Sequence, residues 1–313
     1  MAATSETPKP GQRVVPLVII MPVRDEQKYL RLTLESLTIQ TWQPQEVVVV
    51  DDGSTDATPD IVTEFSARHP WIRLVKRDNR GFRQVGKGVV VTFDYGREQI
   101  LDKEWQYITK LDGDMSFGPR YIETVLGRLE ADPQLAACSG KVFRPEGDGY
   151  VEEFMLDAMV AGQFKLYRRE AFEAIGGFRQ TILWDTLDWH MCRNLGWKTL
   201  SFHHPEARLI HHRIMGSSDK NVYKGRVRQG RGNWFAGYHP LYMIASGLFR
   251  MREKPYVIGG LILIGAYFHS MWRGDPQFDE GDFRQRLHAW QLGQLKRLPR
   301  RLLRGDVAGG RSD

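Results

Sequence analysis

Two acidic clusters sixty residues apart hold the side chains best suited to chemistry in this chain. In the first, Val47-Val48-Val49-Val50 runs into Asp51-Asp52-Gly53-Ser54-Thr55-Asp56. In the second, Tyr107-Ile108-Thr109-Lys110-Leu111 runs into Asp112-Gly113-Asp114. Each has the form of a buried strand opening into a carboxylate turn. Loops leaving the carboxyl ends of strands in an open α/β sheet meet in one crevice, where ligands bind. Asp52 can accept from the N–H edge of a nucleobase, although paired acids before Gly-Ser also make a plain turn and helix cap. Two carboxylates one residue apart, with Gly113 allowing a tight backbone, can hold a hard divalent cation and leave positions open for phosphate oxygens. Together the clusters suit a ligand with a donor-rich base and a metal-bridged diphosphate, which is the constitution of a nucleotide-sugar.

The elements that must position these loops follow from the apolar patterning. Val14 to Met21 is a continuous apolar run, the mark of a strand covered on both faces. Leu30, Leu34 and Leu37 fall at i, i+4 and i+7 and mark a helix with one apolar stripe. Glu46 to Val50 reads as a second buried strand, Asp56 and Pro59 open a helix through about Ala67, and Ile72 to Val75 is a short third strand. A helical stretch from about Gln84 to Leu101 leads into the strand at Tyr107. Pro119 opens another helix, and Leu135 to Phe143 returns as a strand. Such alternation predicts an α/β fold with a doubly wound, mostly parallel sheet flanked by helices. Past Gly147 the pattern changes: Gly176-Gly177-Phe178 is a turn, Leu187 to Leu195 a helix and Trp197 to Phe202 a strand. Beyond Asp219 the chain reads as helical, aromatic and basic.

Bulk composition narrows the class. A hydrophobic content of 42% with 26% charged residues describes a globular chain and excludes general disorder. Cys138 and Cys192 supply neither a disulfide framework nor metal-ligand spacing, in keeping with a reducing cytoplasm. The first dozen residues lack the apolar core of a signal peptide and read as a loose tail. Four segments are expected: a tail over 1–12, a catalytic domain over 13–215, a helical region over 216–305 and a short tail over 306–313. The net charge of +6 is uneven, with Lys220, Lys224, Arg226, Arg228 and Arg231 in one short stretch and seven basic residues between Arg284 and Arg304. Basic stretches attract phosphates of any kind, but no nucleic-acid module accompanies these, so no nucleic-acid partner is expected.

Taken together, Val18 to Arg24 with Asp25-Glu26, the VVVVDDGSTD run, Asn79-Arg80-Gly81, the LDGD segment and the GGF turn followed by an acidic turn resemble a family 2 glycosyltransferase. The resemblance runs from Pro16 to Trp197. It implies the GT-A fold and inversion at the anomeric carbon. It implies that Asp52 contacts the base, that Pro22, Arg24, Glu26, Asn79, Lys87, Asp112 and Gly113 line the nucleotide-sugar pocket, and that Asp112 and Asp114 serve a Mg²⁺ or Mn²⁺ ion and the diphosphate. Family members often carry Asn where Asp25 stands. Their catalytic base follows GG[FY] in an acidic pair, usually Glu-Asp, before a helix ending in Gly-aromatic. In Trp184-Asp185-Thr186-Leu187-Asp188-Trp189 the spacing to Gly196 puts Asp185 on the base and Trp184 where Glu is expected. Inverting transfer needs one carboxylate to deprotonate the acceptor hydroxyl, so one acid suffices. Asp188 is the reserve, and both acids are equally at home in a helix first turn.

Four of the nine histidines lie in His203-His204 and His211-His212, and the resemblance makes His211 or His212 a candidate third metal ligand. RVRQGRGNW is similar to the Q-x-x-R-W element of processive family members, but its spacing does not match. Arg226, Arg228 and Arg231 remain candidates for the leaving diphosphate, with a solvated basic helix face as the alternative. Tyr256 to Trp272 is short of the roughly 20 apolar residues that span a bilayer. With the amphipathic pattern of Phe283, Leu287, Trp290 and Leu298, it predicts a surface lying in the membrane interface; a hairpin covering the core is the other reading. The expectation is a metal-dependent transferase, peripheral at the cytoplasmic face of the cell membrane, that moves a sugar from a nucleoside-diphosphate-sugar to a lipid-linked or saccharide hydroxyl. Its alternative is a non-catalytic nucleotide-sugar or glycan-binding partner of another transferase. A nucleotidyltransferase is disfavoured because MPVRDE stands where a Gly-rich, Lys-containing loop would follow the first strand.

Overall fold

The computed structural model describes residues 12–79, 81–82, 86–213, 222–252 and 255–303. Its contacts divide the chain into two compact units, Met1–Ile214 and Met215–Asp313. In the first unit the chain runs β1 (Arg13–Val23), α1 (Leu30–Thr38), β2 (Trp42–Asp51), α2 (Thr58–Arg68), β3 (Ile72–Lys76), α3 (Lys87–Glu98), β4 (Tyr107–Leu111), β5 (Met115–Phe117), α4 (Tyr121–Glu130) and β6 (Leu135–Gly140). There follow β7 (Val142–Glu146), β8 (Gly149–Glu152), β9 (Phe164–Arg168), α5 (Arg169–Ala174), α6 (Trp184–Asn194), β10 (Lys198–Phe202) and β11 (Leu209–His211).

Seven strands form one sheet in the order β10-β6-β9-β4-β1-β2-β3. All its pairs are parallel except those of β9, which runs antiparallel to β4 and β6. The apolar runs follow from cover on both faces. Ile19, Met21, Val47 and Val49 pack with Leu30, Leu34 and Leu37 on one side, while Val18, Ile20, Val48 and Val50 pack with Val90 and Phe93 on the other. Each such side chain removed from water contributes about 1.5–3 kcal/mol, so a strand register shifted by one residue has no face on which to lose its apolar set cheaply. From β1 the chain moves outward through β2 and β3, then returns to β4 on the other side of β1. The strand order thus reverses at β1, and the acidic clusters lie at the carboxyl ends of β1, β2 and β4, the place where open α/β sheets bind their ligands.

Two features depart from the sequence reading. The strand expected over Leu135 to Phe143 is divided: β6 stays in the large sheet, and β7 joins a second sheet in the order β5-β11-β7-β8. At the crossing, a Cβ on Gly140 would lie 1.6 Å from the Ala207 carbonyl oxygen, so only glycine fits. The antiparallel β9 is the second departure. It occupies the sheet centre although Lys165 interrupts its apolar run. The helix expected from Gln84 begins at Lys87, and Gln84 itself lies outside the described residues, as does Arg80.

The second unit is helical, with α7 (Val222–Phe235), α8 (Pro240–Arg250), α9 (Ile258–Arg273) and α10 (Phe283–Leu303). Glycines let its helices approach closely. A Cβ on Gly230 of α7 would come within 2.4 Å of the Leu263 carbonyl oxygen, and one on Gly247 of α8 within 2.3 Å of Ile264. Three of the four residues of the amphipathic stripe expected to meet lipid are turned to packing, and the side chain of the fourth, Leu298, lies outside the described residues. Phe283 and Leu287 of α10 are buried within the unit, and Trp290 packs its ring 6.0 Å from that of Tyr242. Among the described residues, no helix is long and apolar enough to cross a membrane.

Candidate active site

At the end of β2, the two acids of the first cluster have different tasks. Asp51 closes the turn by accepting from the Ser54 amide at 2.9 Å. Asp52 is buried and accepts at Oδ1 from Arg77 at 2.9 Å. Arg24, also buried, donates one nitrogen to the Asp52 carbonyl at 2.7 Å and another to Asn79 Oδ1 at 2.9 Å. Gly53 holds a φ of +77°, and a Cβ there would lie 2.5 Å from Asn79, so the turn requires glycine twice over. Asp25, at φ 53°, accepts from the Thr55 amide at 2.8 Å and ties the β1 loop to the β2 loop. Pro22, Arg24, Asp52 and Asn79 are thus brought together, with Pro22 opposite Val50 in the β1–β2 ladder. Lys87 is the exposed first residue of α3.

At the end of β4 the acids of the triplet differ again. Asp112 binds the ammonium of Lys110, which also donates to the Gly162 carbonyl at 2.9 Å. Asp114 is buried. Its Oδ2 stands 3.3 Å from Arg213 Nε and 3.6 Å from His211 Nε2, while its Oδ1 is buried without a hydrogen-bond partner among the described residues. The small sheet makes this meeting possible. β11 pairs antiparallel with β5 so that His211 faces Met115, one residue past Asp114, and the His212 amide donates to the Asp114 carbonyl at 3.0 Å. Glu153 meets His211 Nδ1 at 3.2 Å, and Glu26 takes the other end of Arg213. Burial opposes a charge on His211, yet the carboxylates of Asp114 and Glu153 prevail and push its pKa up to about 9. Burial would raise Asp114, but His211, Arg213 and Lys110 hold it below the usual aspartate range. The His212 imidazole is directed elsewhere: its Nε2 lies 2.8 Å from Ser116 Oγ and its ring stacks on Tyr29.

The region of Asp185, the expected base, hangs from the same framework. Leu183 sits at φ 58°, a left-handed conformation costly for a bulky residue, and sets the first turn of α6. Asp185 lies half-buried in that turn, its Oδ2 only 3.1 Å from where a Cβ on Gly162 would stand. Burial raises its carboxyl above the ordinary aspartate range, with Lys165 opposing and Asp188 adding to the shift. Asp188 is fully buried and takes Lys165 on both oxygens, at 2.7 and 2.5 Å, and the Tyr167 hydroxyl at 2.8 Å. Such an acid is a structural counter-ion with no face turned to an acceptor. Trp184, standing where the family has Glu, lies beneath both ammonium groups, 5.3 Å from Lys110 and 5.4 Å from Lys165. Lys110 therefore joins the two halves of the site, since it holds Asp112 and also Gly162, against which Asp185 packs.

A hard cation fits these donors in one respect. Asp114 and His211 converge, and the unpartnered Asp114 Oδ1 is the kind of buried oxygen that an ion satisfies. Mg²⁺ and Mn²⁺ accept one or two protein ligands when substrate phosphates complete the shell. Among the described residues, no group of three or more His, Cys, Asp or Glu side chains is arranged to hold a metal. Four participants escaped the sequence reading: Lys110, Glu153, Arg213 and Arg77. A lysine inside an apolar strand was a usable signal for Lys110. Arg226, Arg228 and Arg231 stand on α7 of the second unit, where Arg226 donates to Gln229 at 3.4 Å.

Residues 18–155 match the family model described as Glycosyl transferase family 2. The chain is 29% identical over 180 residues to chondroitin synthase of Escherichia coli, covering 54% of this chain and 25% of that protein. It is 34% identical over 158 residues to validoxylamine A glucosyltransferase of Streptomyces hygroscopicus subsp. limoneus, covering 47% of this chain and 33% of that protein. The chain thus spans a quarter to a third of the length of these relatives. In fold it is similar to the mannosyltransferase PcManGT of Pyrobaculum calidifontis, solved with GDP-Man and Mn²⁺, with a TM-score of 0.51 at 15% identity over 93% of this chain and 83% of that one.

Proposed function

We propose, from the match of residues 18–155 to the glycosyl transferase family 2 model, that the chain is an inverting transferase that moves a sugar from a nucleoside-diphosphate-sugar to a hydroxyl of a lipid-linked or saccharide acceptor. The observation that carries this reading is the link through Lys110. One buried ammonium binds Asp112 of the diphosphate loop and the Gly162 carbonyl, against which the Asp185 carboxylate packs. A donor seated over the triplet therefore presents its anomeric carbon on the side of Asp185. Asp185 takes the proton of the acceptor hydroxyl as the oxygen attacks that carbon and the nucleoside diphosphate leaves from the opposite face. Asp52, held by Arg77 and the Arg24–Asn79 bracket, receives the base. A divalent cation held by Asp114, and by His211 once its Nε2 has given up its proton, would screen the charge that develops on the departing diphosphate. Arg213 fixes Asp114 and Glu26 relative to each other, so that the loops after β1 and β4 keep one geometry. Asp188 has a positioning role beneath Asp185, through Lys165.

Calorimetric titration with UDP, GDP and dTDP, each with Mn²⁺ and with chelator, tests the donor half of this reading. One nucleotide is expected to bind, and only with metal. Asp185→Asn tests the other half, because transfer should disappear while nucleotide binding stays within about twofold, the base acting in the transition state alone. Wild-type protein that binds the nucleotide but transfers nothing to any acceptor would favour the non-catalytic partner, whose support is the Trp at position 184.

A further inference from the structure

Among the described residues, the second unit carries an apolar surface that its own helices leave exposed. On α8, Leu241, Ile244 and Leu248 are exposed at i, i+3 and i+7; on α9, Ile258, Leu261 and Trp272 are exposed, Trp272 at 83%. The contacts of Gly247 with Ile264 and of Gly260 with Met251 make α8 and α9 an antiparallel hairpin. Taking Gly247 and Gly260 as the facing positions, and about 100° per residue, both exposed stripes project to the same side of that hairpin. They form one face, because the buried positions Met243, Leu263 and Tyr267 point elsewhere. Monomeric soluble proteins seldom expose contiguous apolar patches beyond a few hundred Å² unless something docks there.

Charge identifies the occupant. Between residues 215 and 313 there are 17 Lys and Arg against 8 Asp and Glu, whereas residues 1 to 214 hold 27 against 30. The unit that bears the apolar face is thus strongly cationic and the remainder is slightly anionic. Two copies meeting through this face would bring like charges together, whereas an anionic surface gains from both the apolar and the basic groups. Arg252 lies two residues past the end of α8, and Arg273 follows Trp272 directly, so exposed arginines stand near both ends of the hairpin. We propose, resting on the membrane-side acceptor suggested above, that the outer face of the α8–α9 hairpin is the docking surface for an anionic phospholipid bilayer, lying in the interface and not crossing it. The stripe on α10 that its sequence pattern favoured is used for packing; the lipid-facing stripe is the one on α8 and α9.

The test needs neither donor nor acceptor. The full chain is sedimented with vesicles of phosphatidylcholine alone and of phosphatidylcholine with phosphatidylglycerol, beside a Leu248→Asp/Leu261→Asp variant checked for an unchanged thermal melt. Wild type should partition onto the anionic vesicles, and the variant should lose at least about tenfold in partitioning, since two leucines leave the interface. Absence of wild-type binding overturns the proposal, and so does binding that the variant retains in full. A dimer in light scattering that the variant dissolves, without lipid binding, gives the face to a second copy and overturns it as well. If the melt of this pair shifts, Trp272→Ser, at the most exposed position, replaces it. Because nucleotide binding and transfer are measured apart from vesicles, loss of the docking face and loss of the transferase reading give separate signatures.

Discussion

At the residue scale, the site works by giving paired acids unequal surroundings. Asp51 and Asp52, Asp112 and Asp114, and Asp185 and Asp188 are each close in sequence, and in each pair one member is more fully committed to neighbours than the other. Asp185, the proposed base, shows the consequence most directly. Burial raises the Asp185 carboxyl above the ordinary aspartate range, so it remains protonated to a higher pH than a surface carboxylate. A base acts when ionised. Transfer should therefore fall as pH drops through that raised value, and the acid limb of a kcat/KM profile, which reports the free enzyme, should lie above the usual aspartate range. A limb at or below that range would remove Asp185 as the titrating base. Glu153 is the second case. It meets His211 Nδ1 at 3.2 Å and turns Nε2 toward Asp114. Carboxylates behind metal-bound histidines commonly contribute 10–100-fold in affinity. Glu153→Gln should weaken Mn²⁺ binding by at least about tenfold, read by calorimetry or by the spectrum of free Mn²⁺, while Ser116→Ala beside His212 should leave it unchanged.

At the element scale, α6 is held in place by a buried ion pair. Lys165 of β9 and Asp188 of α6 are 0% and 1% exposed and separated by 2.5 Å, and the same ammonium donates to the Asp185 carbonyl. Removing one partner leaves a buried charge, which typically costs about 3–5 kcal/mol, whereas replacing both with apolar groups is often close to neutral. Asp188→Ala should thus lower the melting temperature sharply, and Lys165→Met/Asp188→Leu should recover most of the loss without restoring full activity. Equal melting of the single and double variants would refute the pairing argument. The same pair explains what the sequence conceals. β1, β2 and β4 were legible because their apolar runs are covered on both faces and end in acids; Asp52, Asp112 and Asp114 came with them. β9 was not legible, because no acid turn follows its five residues and the acid that neutralises Lys165 is 23 residues away, whereas Lys110 interrupts β4 in the same way but meets Asp112 two residues on. Glu153 had no local signal either. It belongs to no periodic segment, and only the pairing of β7, β8 and β11 brings it to a histidine 58 residues later. On α10 the periodicity was read correctly but its partner was not, since an amphipathic stripe looks the same whether it faces lipid or protein.

At the scale of the whole molecule, the uneven charge becomes a kinetic property. Residues 1 to 214 hold three more acids than bases, and residues 215 to 313 hold nine more bases than acids. With the docking face proposed above, an acceptor embedded in an anionic membrane would be found in two steps, capture of the basic unit at the surface followed by a search in two dimensions, whereas a soluble acceptor would be found in one. The two routes respond differently to salt. The Debye length falls from about 10 Å at 0.1 M to about 3 Å at 1 M, which screens attraction to a charged surface but has little effect on a buried constellation such as that around Asp114. Raising the ionic strength should therefore lower the rate with a vesicle-embedded acceptor several-fold through the apparent KM, at nearly constant kcat. The rate with a soluble saccharide acceptor should change little over the same range. If both rates fall together, salt acts on donor binding in the first unit; if neither falls, the basic unit takes no part in reaching the acceptor. Only divergence of the two curves makes the charge of the second unit a device for delivering the first to its substrate.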